Sequence, residues 1–319
     1  IGVIHVLRSW VVAPMVAACA RVWLPPRAIH PPNCGPKAPK LKPMPWHARL
    51  ELDYTFKHDT TVLHHRHEGP LRIFQSLYPE GKAICHNVVV HPPGGLASGD
   101  MVDIAVNVGP GAHAWLGTPG ATRFYRSGGE PAKQQVSLKL EAGARLEWLP
   151  LETLAYSGCM GHNALSLELA PSAEALLWDV LALGQPTADK PFEAGEFTQH
   201  MSVPGLWLEQ AHIRADDTRL LDAPLGMDGQ RCMGTLVFAS GTALGRDRTE
   251  LVLDTVRSVC AHHPLSARAG ATSPNPQMVV LRVLGPVVEP VMDLLQQVWS
   301  ALRPTVWGIA PQRPRIWDV

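Results

Sequence analysis

ARLELDYTF, residues 48–56, alternates without a break: Leu50, Leu52, Tyr54 and Phe56 are apolar, and Arg49, Glu51, Asp53 and Thr55 lie between them. A period of two sends the first set to one face of a strand and the second set to the other, as in a strand half buried in a sheet. The pattern recurs downstream. Val102, Ile104, Val106 and Val108 repeat it, as do Val136, Leu138 and Leu140 around Ser137 and Lys139, and Leu165, Leu167 and Leu169 around Ser166 and Glu168. Leu71, Ile73 and Leu77 form a looser set. HPPGG, VGPG, TPGA and SGGEP punctuate these runs. Many short strands parted by glycine- and proline-rich turns predict an all-β fold. Sandwich, barrel and solenoid all satisfy that reading, and periodicity does not choose among them.

Helical spacing enters late. Val252, Val256, Val259 and Cys260 share one face, which predicts a helix near 246–263. A second helix, near 289–303, opens at Pro290 and presents Val291, Leu294, Leu295, Val298 and Leu302. Such a pair either covers the β-core or docks a helical partner. Residues 1–43 differ in composition from the rest of the chain. An apolar run from Trp10 to Ala20 precedes PPRAIHPPNCGPKAPKLKPMP, a proline- and lysine-rich stretch unable to build a core. The expectation is an unstructured extension over 1–43, read as translated upstream sequence with a natural start near Met44. A cleaved signal peptide is the alternative. Residues 44–319 then form the β-domain.

Charged residues are 18% of the 319, and the formal net charge is zero. Nucleic-acid binding needs a basic excess, which is missing. A weakly charged surface fits a protein that works inside a complex. The six cysteines are scattered, with no CxxC pair, as free thiols in a reducing cytosol would be. Gly109-Pro110-Gly111 follows a strand, but AHAWLGTPG after it reads as another strand and a turn, so no dinucleotide site forms. The chain has no GxxxxGK[ST], GxSxG or HExxH. Histidines cluster: His64, His65 and His67 precede Glu68, and His86 and His91 lie further along. Imidazole suits nickel, copper and zinc. One reading is therefore a cupin-like metalloenzyme using His65, His67 and Glu68 with His86 or His91. The other is a solvated histidine-rich edge.

Five ordered motifs carry a further, more specific signal. HEGPL (67–71), LYPEG (77–81), HPPGGLASGD (91–100), TPGATRFYRS (118–127) and LEWLPLETL (146–154), with PRIW (314–317) at the end, resemble the UreD family of urease accessory proteins. The resemblance runs from about Ala48 to Trp317. It departs at Leu151, where the family usually has glutamine, and at Gly184-Gln185-Pro186, where arginine is common. The resemblance implies a β-helical, solenoid-like domain with a small pair of α-helices. It implies a non-enzymatic scaffold that binds apo-urease, UreF and, through UreF, the GTPase UreG, and that helps deliver nickel to urease in the cytoplasm. Neither a membrane nor a tightly bound cofactor is implied; nickel is in transit.

A transit path must accept a divalent ion and release it, which isolated carboxylates and waters do better than a closed Cys/His cage. Within the matching motifs the candidates are Asp100, Glu147 and Glu152, with the imidazole of His86 beside them. Glu147 and Trp148 are expected on opposite faces of a strand, with Trp148 in the core. Arg123, Tyr125 and Arg126 are the candidates for partner contact.

Overall fold

The computed structural model describes residues 45–318, so the expectation for residues 1–43 lies outside the described residues. The strands are β1 (His47–Lys57), β2 (Thr60–Glu68), β3 (Arg72–Ile73), β4 (Ile84–Val90), β5 (Met101–Val108), β6 (His113–Gly117), β7 (Thr122–Phe124), β8 (Ala132–Leu140) and β9 (Arg145–Trp148). They continue with β10 (Thr153–Ala155), β11 (Cys159–Leu169), β12 (Glu174–Leu183), β13 (Gly195–Val203), β14 (Trp207–Arg214), β15 (Cys232–Ser240), β16 (Ala269–Asn275) and β17 (Met278–Gly285). The helices are α1 (Thr218–Asp222), α2 (Arg246–Ala261) and α3 (Val288–Trp307).

From β4 to β13 the chain winds between two sheets. β4, β6, β9 and β12 stack parallel in one. β1, β5, β8, β11 and β13 stack parallel in the other. Each coil adds one strand to each sheet, about 4.8 Å from the last. This in-register parallel stacking makes the fold a β-solenoid, as the resemblance implied, rather than a sandwich of hairpins or a closed barrel. Its inner rows are aligned residue on residue: Leu50, Ile104, Val136, Leu165 and Met201 pair in succession. All five are buried, and each contributes roughly 1.5–3 kcal/mol of transfer free energy. Antiparallel strands finish the edges: β2 and β14 on the first sheet, β15, β17 and β16 on the second.

The two sheets differ in what lies outside them. The sheet carrying β1, β5 and β8 faces open surroundings on its outer side, and its strands alternate between buried and accessible. The other is covered on both faces, by the first sheet inside and by α2 and α3 outside. Its central strands are accordingly mostly apolar, as a parallel sheet covered on both faces requires. Almost all of ICHNVVV in β4 and EALLWDVLAL in β12 is buried.

The helices lie close to where their spacing predicts. Val252, Val256 and Cys260 of α2, and Val291, Leu294, Leu295, Val298 and Leu302 of α3, pack on the covered sheet. Their apolar faces are thus consumed by the core. Ser258, His262, Gln296, Gln297 and Ser300 are among the residues that line the surface groove between them. α3 runs past Pro304 to Trp307 and stops at Gly308, whose φ of 66° supplies the left-handed cap. The looser set at Leu71, Ile73 and Leu77 is not a full strand. β3 holds only Arg72 and Ile73, and Leu77 makes a single bridge to His86. Among the described residues no helix is long and apolar enough to cross a membrane.

Candidate functional site

Two polar assemblies interrupt this apolar architecture. The first lies under α3. Glu147 on β9 is fully buried and faces the helix, while Trp148 faces the core between the sheets, as alternation predicts. Glu147 Oε1 lies 2.9 Å from His113 Nε2 and 3.2 Å from an Arg303 terminal nitrogen, and Oε2 accepts from Trp299 Nε1 at 2.6 Å. The guanidinium of Arg303, itself fully buried, also grips both oxygens of Glu80, at 2.6 and 3.1 Å. Glu80 in turn pairs with His86 Nε2 at 2.8 Å. Burial alone pushes the Glu80 carboxyl up. Hydrogen bonds from His86 and Arg303, with the charge of Arg303, outweigh that and hold it below the ordinary carboxylate range.

The second assembly lies between the sheets. One inner row reads Ala48, Val102, Gln134, Asn163, Gln199 and Ala211 from β1 to β14. Three successive coils thus place amides where their neighbouring rows place aliphatics. Gln134 Nε2 donates to Asn163 Oδ1 at 3.1 Å. Asn163 Nδ2 donates to Gln199 Oε1 at 3.3 Å and to Asp179 Oδ2 at 3.1 Å, the latter reaching across from β12. Strand stacking sets the solenoid axis, so this ladder runs along it. Asp179 is surrounded by protein, and burial raises its carboxyl to about 6. By accessible surface the residue is half-buried rather than sealed.

At the amino-terminal end of the ladder, a cavity of about 160 Å³ opens between the sheets. Gln134, His91 and Arg123 are among the residues that line it. His91 Nε2 is buried and has no hydrogen-bond partner among the described residues. Burial lowers its pKa, and the nearby charge of Asp100 opposes that. Asp100 caps the turn before β5: its oxygens accept from Ala97 N at 2.8 Å and Trp46 N at 3.3 Å.

Of the residues singled out in the sequence, Glu147 and His86 therefore meet in one network, through Glu80 and Arg303. Asp100 and Glu152 are not hydrogen-bonded to it. The Glu152 carboxyl is raised chiefly by burial, with Glu289 adding repulsion. Tyr125 and Arg126 share a surface cleft with Tyr156, whose ring meets that of Tyr125 at 5.3 Å. Arg123 instead lines the inter-sheet cavity and donates to Gly94 O at 3.3 Å. His65 and His67 lie stacked 6.3 Å apart on β2 and are exposed. His86 belongs to the other sheet, and among the described residues no three His, Cys, Asp or Glu side chains are placed to share a metal ion. The cupin-like reading is left with no ligand set.

Sequence reasoning missed Arg303, Glu80, His113 and Asp179. Two left a trace. Arg303 sits on the apolar face of its helix, next to Leu302, and Asp179 is the lone charge within ALLWDVLAL.

Comparison with known proteins identifies the family. The model of the UreD urease accessory protein family matches residues 47–318. A urease accessory protein UreD of Polaromonas sp. (strain JS666 / ATCC BAA-500) is 58% identical over 276 residues, covering 86% of this chain and 100% of that protein. That of Albidiferax ferrireducens is 57% identical over 274 residues, covering 86% and 99%. That of Methylibium petroleiphilum is 46% identical over 294 residues, with the same coverage. With a match across nearly all of its described length, the chain belongs to the UreD family of urease accessory proteins.

Proposed function

We propose that this chain is a non-catalytic scaffold of urease maturation in the cytoplasm, binding apo-urease together with UreF and the GTPase UreG. We further propose that nickel crosses it along the solenoid axis. The ion enters beside His91 and Asp100, passes Gln134 and Asn163, and reaches Asp179. The amide ladder carries this reading. Amides and a carboxylate inside a β-core cost desolvation that aliphatic side chains avoid. A row of them aligned with the axis fits a route for a cation that must not be bare in a low-dielectric interior. Carboxylate, amide and water oxygens with one imidazole bind a divalent ion weakly enough to release it. Nickel is thus cargo, with no tightly held cofactor.

In this reading Glu147 and His86 anchor α3, because their network already holds the Arg303 cation, whereas Asp100 and Asp179 pair with no cation among the described residues. Glu152 lies off the ladder and is assigned to the nickel path only as a secondary, outer carboxylate. Tyr125 and Arg126 contact a protein partner through their cleft, and Arg123 stands at the mouth of the path.

Coexpression with urease, UreF and UreG tests both halves. The chain is expected to copurify with the other components. Asp100→Asn keeps one acceptor oxygen, so the complex should still form while nickel per urease active site falls several-fold. Failure to copurify would remove the scaffold reading. Full nickel loading with Asp100→Asn would remove Asp100 from the route.

A further inference from the structure

A third feature belongs to neither assembly. Between the connection after β3 and the carboxy-terminal segment lies a groove of about 610 Å³. Phe74 and Leu77 form part of one wall, and they are 54% and 60% exposed, among the largest apolar exposures of the described residues. Pro314 and Ile316 line the other side, with Trp115 beneath. Two large apolar side chains exposed in one groove suit an extended segment that brings an apolar side chain of its own.

Charge narrows the choice of occupant. No acidic side chain lines the groove. Arg313 is paired with Asp318 at 2.7 Å, whereas exposed Arg315 has no carboxylate partner among the described residues. Residues 1–43 of this chain carry Arg8, Arg21, Arg27, Lys37, Lys40 and Lys42 and no carboxylate, so their charge opposes seating there. We infer that the groove seats an extended, acidic segment of a protein partner, with an apolar side chain between Phe74 and Leu77 and a carboxylate on Arg315. This inference rests on the scaffold reading above.

The test uses the full chain with Leu77→p-benzoylphenylalanine, mixed with purified apo-urease, UreF and UreG and irradiated. Complex formation is followed separately by size-exclusion chromatography. The expected result is a cross-link to one partner peptide that carries carboxylates next to an apolar residue. Arg315→Glu should lower its yield about fivefold, as reversal of one exposed charge pair would. A cross-link to residues 1–43, to a second copy of this chain, or none within a complex that forms would overturn the inference and leave the scaffold reading standing. Absence of any complex would overturn both.

Discussion

Arg303→Met is expected to lower the unfolding free energy by about 3–5 kcal/mol, the cost of leaving buried carboxylates without their cation. Glu80 and Glu147 both depend on this guanidinium, which also donates to Ala310 O at 3.0 Å and lies 5.1 Å over the ring of Trp299. Urea titration at neutral pH measures the loss, and a change below about 1 kcal/mol would show that the network contributes little. Adding Glu80→Gln and Glu147→Gln to Arg303→Met should recover part of the loss, because the stranded charges are then gone. The pH dependence has a definite sign. The folded-state pKa of Glu80 is depressed, so its contribution is present above the ordinary carboxylate range and is lost as pH falls through it. That acid-side loss should shrink in Arg303→Met.

Trp317→Ala is expected to cost about 3 kcal/mol or more, as removal of a buried indole does. Trp317 is nearly the last residue described, yet its ring meets those of Trp299, Trp178 and Trp115 at 4.9, 5.2 and 6.0 Å. Arg313 lies over its outer face at 5.8 Å. Trp178 is fixed in addition by donating to Pro150 O at 2.6 Å, which ties the LEWLP turn to the same cluster. The PRIW ending therefore closes the covered sheet as a plug. Thermal unfolding of the variant checks this, and an unchanged midpoint would mean that the plug is dispensable.

The architecture was unequally legible. Every clear alternation in the sequence belongs to the sheet whose outer face is open: Leu50 to Phe56, Val102 to Val108, Val136 to Leu140, Leu165 to Leu169. The covered sheet left no long alternation, because β4, β6 and β12 are buried on both faces and mostly apolar, and β9 is only four residues long. Solenoid, barrel and sandwich share the same alternation. Only the register between coils separates them, and register is a long-range property. Both helices were readable from spacing, but the destination of their apolar faces was not.

The polar assemblies show a similar limit. Glu147 was identifiable as a carboxylate in a strand, with Trp148 on the opposite face. Its partner Arg303, and Glu80 joined to it through Arg303, lie 156 and 67 positions away in the chain, so no local pattern joins them. Gln134, Asn163 and Gln199 are ordinary residues in their separate strands. They become a ladder only when three coils stack in register.

The proposed nickel route depends most directly on Asp179. Its carboxyl is raised by burial and by Glu209, against hydrogen bonds from Asn163 and Gln199, to about 6. A raised acid is protonated more readily in the folded state. The Asp179 contribution to stability is therefore greatest below the unfolded value near 4 and declines as pH rises to about 6, by on the order of 2–3 kcal/mol. Above that the cost is constant, and Asp179→Asn should remove it. The decisive measurement is nickel per urease active site after maturation with Asp179→Asn, read beside the urea stability of the variant at pH 8. The account predicts a more stable protein that assembles normally and delivers several-fold less nickel. Full nickel loading by that variant would contradict the axial route.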